Sequence, residues 1–217
     1  SFQEIFWLEG YALDPSWEPR CLIDAGANVG YASLYFASSH PIEKILAIEA
    51  NPRLFGRLER IKEILIGLGV DMRVIRGALV GVPRDLSFQV HANSRNSTIA
   101  EDDLPDASSV DFIQVAGHLL VDLTAQTGFC PTDFDRSCLL KMDIEGGEYE
   151  IMEKTPRVFV SPTYLVAELH GAQALRDEFI QKLQVVCQNL VIEKRPATPA
   201  CPTAEVLYAC RSTFNSS

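Results

Sequence analysis

The chain has 217 residues, 47% of them hydrophobic and 22% charged, the composition of an ordinary globular protein with room for one sizeable core. Its net charge of −10 argues against a nucleic-acid partner, because phosphate binding is carried mainly by clustered Lys and Arg. The densest basic stretch, Arg53 to Lys62, is interleaved with Glu59 and followed by Glu63, and reads as a solvated helix face.

Short apolar runs alternate with amphipathic stretches, the pattern of an α/β fold around a largely parallel sheet. Cys21 to Asp24 reads as the first buried strand, followed by a glycine-bearing turn and a helix from Tyr31 to Ser38. Lys44 to Glu49 is the second strand. Asn51-Pro52 then offers an N-cap with Pro at the first helical position. Leu54, Leu58, Ile61 and Leu65 recur at helical spacing, and Gly67 and Gly69 end that helix. Met72 to Arg76 alternates like a third strand.

Ala78 to Gly81 and Leu86 to His91 read as extended segments joined through the turn Val82-Pro-Arg-Asp85. Asn93 to Ser109 is polar and aperiodic and reads as a long loop of the kind that usually serves function. Phe112 to Val115 and Leu119 to Leu123 are expected as short strands. Ser137 to Asp143 is a core strand, and Tyr164 to Glu168 another. Leu175, Phe179 and Leu183 mark a helix, and Leu190 to Lys194 with Glu205 to Cys210 form a closing hairpin around the Pro-rich segment Arg195 to Pro202. Residues 1–217 therefore read as a single domain, with 1–20 packing on or covering its core.

The six cysteines are scattered without a Cys-x-x-Cys, and Cys21, Cys138 and Cys210 stand in apolar surroundings where Cys behaves as a small hydrophobe. That usage points to a reducing, cytoplasmic setting. No apolar run approaches the roughly 18 residues that span a bilayer, and the N-terminus lacks the pattern of a secretory signal. Ser1 is not a natural initiator, so a processed or excised piece is expected. The oligomeric state is not legible.

Three acidic strand ends carry the chemistry. In a doubly wound sheet, ligands bind beyond the carboxyl ends of the strands. Asp24 there precedes Gly26 and Gly30, and a Cβ at Gly26 is expected to collide with a ligand. The loop fails the dinucleotide pattern Gly-x-Gly-x-x-Gly; an acidic loop suits a cationic or zwitterionic ligand better than a pyrophosphate. Glu49, roughly twenty residues beyond Gly30, can accept hydrogen bonds from both hydroxyls of a ribose. The third end, Lys141-Met-Asp-Ile-Glu-Gly-Gly-Glu148, gathers Asp143, Glu145 and Glu148. Carboxylates this close repel unless they share a proton, a cation or a cationic ligand.

Cys21-Leu-Ile-Asp-Ala-Gly-Ala-Asn-Val-Gly-Tyr31, Ala47-Ile-Glu-Ala-Asn-Pro52 and Leu140-Lys-Met-Asp-Ile-Glu-Gly-Gly-Glu148 resemble the successive motifs of the FkbM family of methyltransferases. The resemblance spans Cys21 to His170, and the third motif is the most family-specific. It implies a Rossmann-like class I methyltransferase fold, with a mostly parallel seven-stranded sheet of order 3-2-1-4-5-7-6 and an antiparallel last strand. It implies S-adenosylmethionine as methyl donor and a hydroxyl as acceptor, on a small molecule, sugar or natural-product intermediate. By position, the resemblance implies that Asp24, Gly26 and Asn28 surround the methionine part, Glu49 the ribose, Ala78 the adenine, and that Asp143 faces the methyl-transfer site, with Gly30 and Ala50 also among the cofactor-binding residues. The family commonly carries a Leu-Asp-Asp-like element before the fourth strand; the nearest match here is Val121-Asp-Leu-Thr124. That region and the Asn93 to Ser109 loop are expected to shape the acceptor pocket.

An alcohol acceptor must lose its proton, which calls for a general base or a metal. Asp143 is the first candidate, and Glu145, Glu168 and His170 are its possible companions. No ligand spacing demands a metal, although Asp143 and Glu168 suit a divalent cation if one is present. Two rival readings of the same residues are an NAD-dependent oxidoreductase and a non-catalytic nucleoside-binding module.

Overall fold

A computed structural model describes residues 11–91, 98–99, 110–129, 137–187, 190–196 and 204–211. Its centre is a seven-stranded sheet whose strands run from fully buried in the middle to half-exposed at the edges. These are β1 (Cys21–Ala25), β2 (Lys44–Glu49) and β3 (Asp71–Arg76) in the first half, and β8 (Cys138–Met142), β9 (Tyr164–Leu169), β10 (Leu190–Pro196) and β11 (Glu205–Arg211) in the second. The order is β10-β11-β9-β8-β1-β2-β3, and β11 runs antiparallel to both neighbours. This is the order and direction that the family resemblance implies.

The central strands β1 and β8 are buried along their whole length because helices cover both faces. Leu22, Ile45, Ala47 and Leu139 pack on one face with Phe36 and Leu58, which come from α1 (Tyr31–Ser39) and α2 (Phe55–Gly67). Ile23, Leu46, Ile48 and Leu140 pack on the other with Ile151, Phe179 and Leu183. Those come from α4 (Gly147–Lys154) and α5 (Gln173–Val186). The Asn51 side chain accepts a hydrogen bond from the Arg53 amide at 3.0 Å, and Pro52 opens a 3-10 turn that leads into α2. Among the described residues, no helix is long and apolar enough to cross a membrane.

Between β3 and β8 lies a second sheet of order β4-β7-β5-β6, made of β4 (Ala78–Leu79), β5 (Asp85–His91), β6 (Thr98–Ile99) and β7 (Val110–His118). Leu86 to His91 is extended as expected, the expected segment Ala78 to Gly81 is a strand only over Ala78–Leu79, and Phe112 to Val115 falls inside β7. Leu119 to Leu123 is not a strand: Leu120–Thr127 is α3, burying Leu120, Leu123 and Thr124 at helical spacing. An apolar run that short carries either periodicity, and tertiary burial decides between them. Helix α4 has no counterpart in the sequence reading. Most of the Asn93 to Ser109 loop lies outside the described residues, as do residues 1–10 and the centre of the Pro-rich hairpin.

Candidate active site

The parallel strands end on one side, where a cavity opens between the two sheets. Its wall comprises the β1 turn (Gly26, Asn28), the end of β2 (Glu49, Ala50, Asn51), the start of the second sheet (Ala78, Leu79, Phe88) and the β8 turn (Asp143, Ile144, Glu145). The charged residues of this wall are Glu49, Asp143 and Glu145, all of them carboxylates.

Turn chemistry places these groups. Asn28 and Glu145 have φ of 54° and 56°, the two non-glycine residues with positive φ among those described. Both line the cavity, and sparsely populated backbone of this kind clusters at functional sites. Gly26 has φ of 76°, and a Cβ there would stand 1.8 Å from the backbone oxygen of Asp143. A Cβ at Gly26, which lines the cavity, would therefore also collide with the neighbouring strand end. Gly26 lets the β1 and β8 turns touch.

Glu49 is 7% exposed. One of its carboxylate oxygens accepts the Asn28 amide at 2.7 Å, the other the Asn51 amide at 2.6 Å. Burial pushes its pKa up, while the two amides pull against that shift. The carboxylate is thus fixed in direction between the first and second strand ends.

Asp24 and Gly30 stand behind the wall rather than on it. Asp24 is wholly buried, accepts the Ser33 hydroxyl at 2.7 Å and pairs with Lys141 Nζ at 3.2 Å. Gly30, with φ of 89°, lets α1 start against Leu58 and Ile61. Lys141 was not among the residues singled out from the sequence, yet it organises the site. Its Nζ donates to the Gly26 carbonyl at 2.8 Å and lies 3.8 Å from Asp143 Oδ2. Burial alone would lower its pKa, but Asp24 and Asp143 hold it above the ordinary value. Tyr11, in the 1–20 stretch, was not among the residues expected at the site. Its hydroxyl donates to Asp143 Oδ2 at 3.3 Å, and burial, with Asp143 next, pushes its pKa well up, so it stays a donor.

Asp143 keeps 26% of its side-chain surface. Burial raises its pKa, Lys141 opposes this, and Glu168 adds to it. Beyond Asp143, His170 Nε2 lies 3.4 Å from Glu168 and 3.7 Å from Glu145, and Tyr149 donates its hydroxyl to the His170 carbonyl. Burial would lower the His170 pKa, but Glu168, Glu145 and Asp143 drive it to about 10. An imidazole held in its charged form is an ion-pair partner and not a general base at neutral pH. Burial, then Asp143, pushes Glu145 up to about 7. Glu148 is absent from the cavity: it is buried and accepts the Ile144 and Gly146 amides at 2.7 and 2.8 Å, holding the β8 turn.

Among the described residues, Asp143, Glu145 and His170 bring ligand atoms within 4.8 Å of one another. Glu168, paired with Asp143 in the sequence reading, is not in that set. Lys141 and the charged His170 already supply positive charge to these carboxylates.

A sequence model of the Methyltransferase FkbM domain matches residues 24–190. Methyltransferase 1 of Beauveria bassiana (strain ARSEF 2860) is 27% identical over 159 residues, 69% of this chain and 64% of the relative. Methyltransferase sdnD of Sordaria araneosa is 26% identical over 175 residues, 70% of this chain and 66% of the relative. The matches thus cover just under two thirds of each relative's length. The crystal structure of methyltransferase FkbM from Methylobacillus flagellatus KT superposes with a TM-score of 0.63 at 14% identity, over 96% of this chain and 47% of that one. Fibrillarin from Aeropyrum pernix, solved with natively bound S-adenosyl-L-methionine, superposes with a TM-score of 0.52 at 12% identity, over 94% of this chain and 71% of that one. Those two likenesses show a shared fold. With its three motifs, its strand order and the match across residues 24–190, the chain belongs to the FkbM methyltransferase domain family.

Proposed function

We propose that this chain is an S-adenosylmethionine-dependent methyltransferase acting on a hydroxyl of a small molecule, sugar or natural-product intermediate. One observation carries the reading: every charged residue lining the cavity is a carboxylate. A pyrophosphate would be repelled there, whereas a sulfonium and an ammonium would be attracted. Family membership and the names of both relatives point the same way.

The lining fits the donor in chemistry. Glu49, held by two backbone amides, would accept from the ribose hydroxyls. Ala50, Ala78, Leu79 and Phe88 would give the adenine an apolar seat, and Gly26 and Asn28 would flank the methionine part. Asp24 would act on that part from behind the wall, through its pair with Lys141. When bound, the donor supplies a methyl group activated by its sulfonium, open to in-line displacement by the acceptor oxygen. Asp143 and Glu145 stand at the reacting end. Glu145, pushed up to about 7, has the affinity that suits a base taking a hydroxyl proton near neutral pH. Glu168 and the charged His170 would keep that pair of carboxylates in place.

We read the chain as one methyltransferase domain working in the cytoplasm. Tyr11 and Leu13 belong to its core, and the buried Cys21 and Cys138 suit a reducing compartment. The test is incubation with methyl-labelled donor and a panel of hydroxylated metabolites, with Asp143→Ala as control. Label transfer to a hydroxyl by the wild type alone is expected. Donor binding with no transfer to any acceptor would favour a binding module.

A further inference from the structure

We infer that Tyr11 is a positioning residue for Asp143, so that the N-terminal segment completes the donor site. This rests on the donor-site reading above. Tyr11 and Asp143 are 132 positions apart, and their side chains meet at 3.3 Å behind the cavity wall. The same oxygen, Oδ2, faces Lys141 Nζ at 3.8 Å. Neither Tyr11 nor Lys141 lines the cavity, whereas Asp143 does. Both donors therefore hold one Asp143 oxygen from behind and leave the other for a ligand.

The surrounding charges explain why such a tether is needed. Asp143 stands near Glu168 and Glu145, whose carboxylates repel it, and near His170, whose positive charge is divided with those two glutamates. Lys141 is shared: it sits closer to Asp24 and to the Gly26 carbonyl than to Asp143. Tyr11 supplies the nearer contact. Its ring is fixed independently of the hydroxyl, 6.1 Å from Phe36 and 5.7 Å from Lys141 Nζ, centroid distances that allow aromatic and cation–π contact. The rigid ring gives the hydroxyl a set position, and removing the hydroxyl leaves the packing intact.

The consequence concerns charge recognition. A carboxylate aimed at the ligand's sulfonium favours S-adenosylmethionine over its neutral-sulfur product, S-adenosylhomocysteine. Calorimetric titration of both ligands into the wild type, Tyr11→Phe, Asp143→Asn and the double variant tests this. Tyr11→Phe is expected to weaken the donor about fivefold, and the product by less than about twofold. The double variant should bind no more weakly than Asp143→Asn alone, because Tyr11 acts through Asp143. Equal weakening of both ligands, no weakening, or effects that multiply in the double variant would each overturn the inference while leaving the donor site standing. A wild type that binds neither ligand would overturn both.

Discussion

Lys141 Nζ lies 3.2 Å from a carboxylate oxygen of Asp24 across the boundary of β8 and β1, and the two side chains keep 3% and 0% of their surface. Parallel register sets them side by side, Asp24 opposite Lys141. A buried pair is weak evidence for stability, but breaking one leaves an uncompensated charge. Lys141→Met should therefore destabilise the fold by about 3–5 kcal/mol. Asp24→Asn combined with Lys141→Met should be less destabilised than Lys141→Met alone. Urea denaturation of the wild type and the two variants checks the ordering.

Gly26 and Gly128 separate strain from collision. Both have positive φ, 76° and 69°, but a Cβ at Gly128 would meet nothing within 4 Å. Gly128→Ala should cost about 1 kcal/mol, the backbone penalty alone. Gly26→Ala adds the clash with the Asp143 carbonyl, should cost more than about 3 kcal/mol, and should abolish donor binding. Denaturation and calorimetry on the two variants measure both effects.

Stability should fall as pH rises from 6 to 9. Burial lifts Glu148 from 4.5 to about 7, and the surrounding carboxylates lift His170 from 6.5 to about 10. Each group binds its proton more tightly folded than unfolded. Its contribution is full below the unfolded value and is lost as pH climbs through the folded one. Thermal melting from pH 6 to 10 checks the slope, and His170→Gln should flatten it between about pH 6.5 and 10.

Glu49→Gln should weaken S-adenosylmethionine about tenfold by calorimetry, since one oxygen of a fixed, charged acceptor becomes a donor. EDTA, by contrast, should leave the dissociation constant within about twofold, because Lys141 and His170 already balance the carboxylates that would hold a hard cation. Loss of binding on chelation, restored by Mg2+, would contradict that balance.

The main sheet was legible because its middle strands are buried on both faces and read as short apolar runs between glycine and proline signals, while the edge strand at Met72 to Arg76 shows its alternation. The second sheet was only partly legible, since its strands are half-exposed and its pairing of β5 with β7 depends on contacts far apart in sequence. Glu49 could be placed from spacing alone. The role of Lys141 was visible in principle: Cys21-Leu-Ile-Asp-Ala25 and Cys138-Leu-Leu-Lys-Met142 carry opposite charges at the same position of two apolar strands. Tyr11 had no such signal, because nothing local ties it to Asp143. The second constraint on Gly26, the Asp143 carbonyl in the path of a Cβ, was not legible, because that carbonyl belongs to another strand and a sequence does not display strand proximity.

The central claim is that the acidic cavity holds a sulfonium donor. Calorimetric titration of S-adenosylmethionine, S-adenosylhomocysteine and NAD into the wild type tests it most directly. Saturable one-to-one binding of the first two, with none for NAD, is the predicted result. Binding of NAD with neither adenosyl ligand would contradict it.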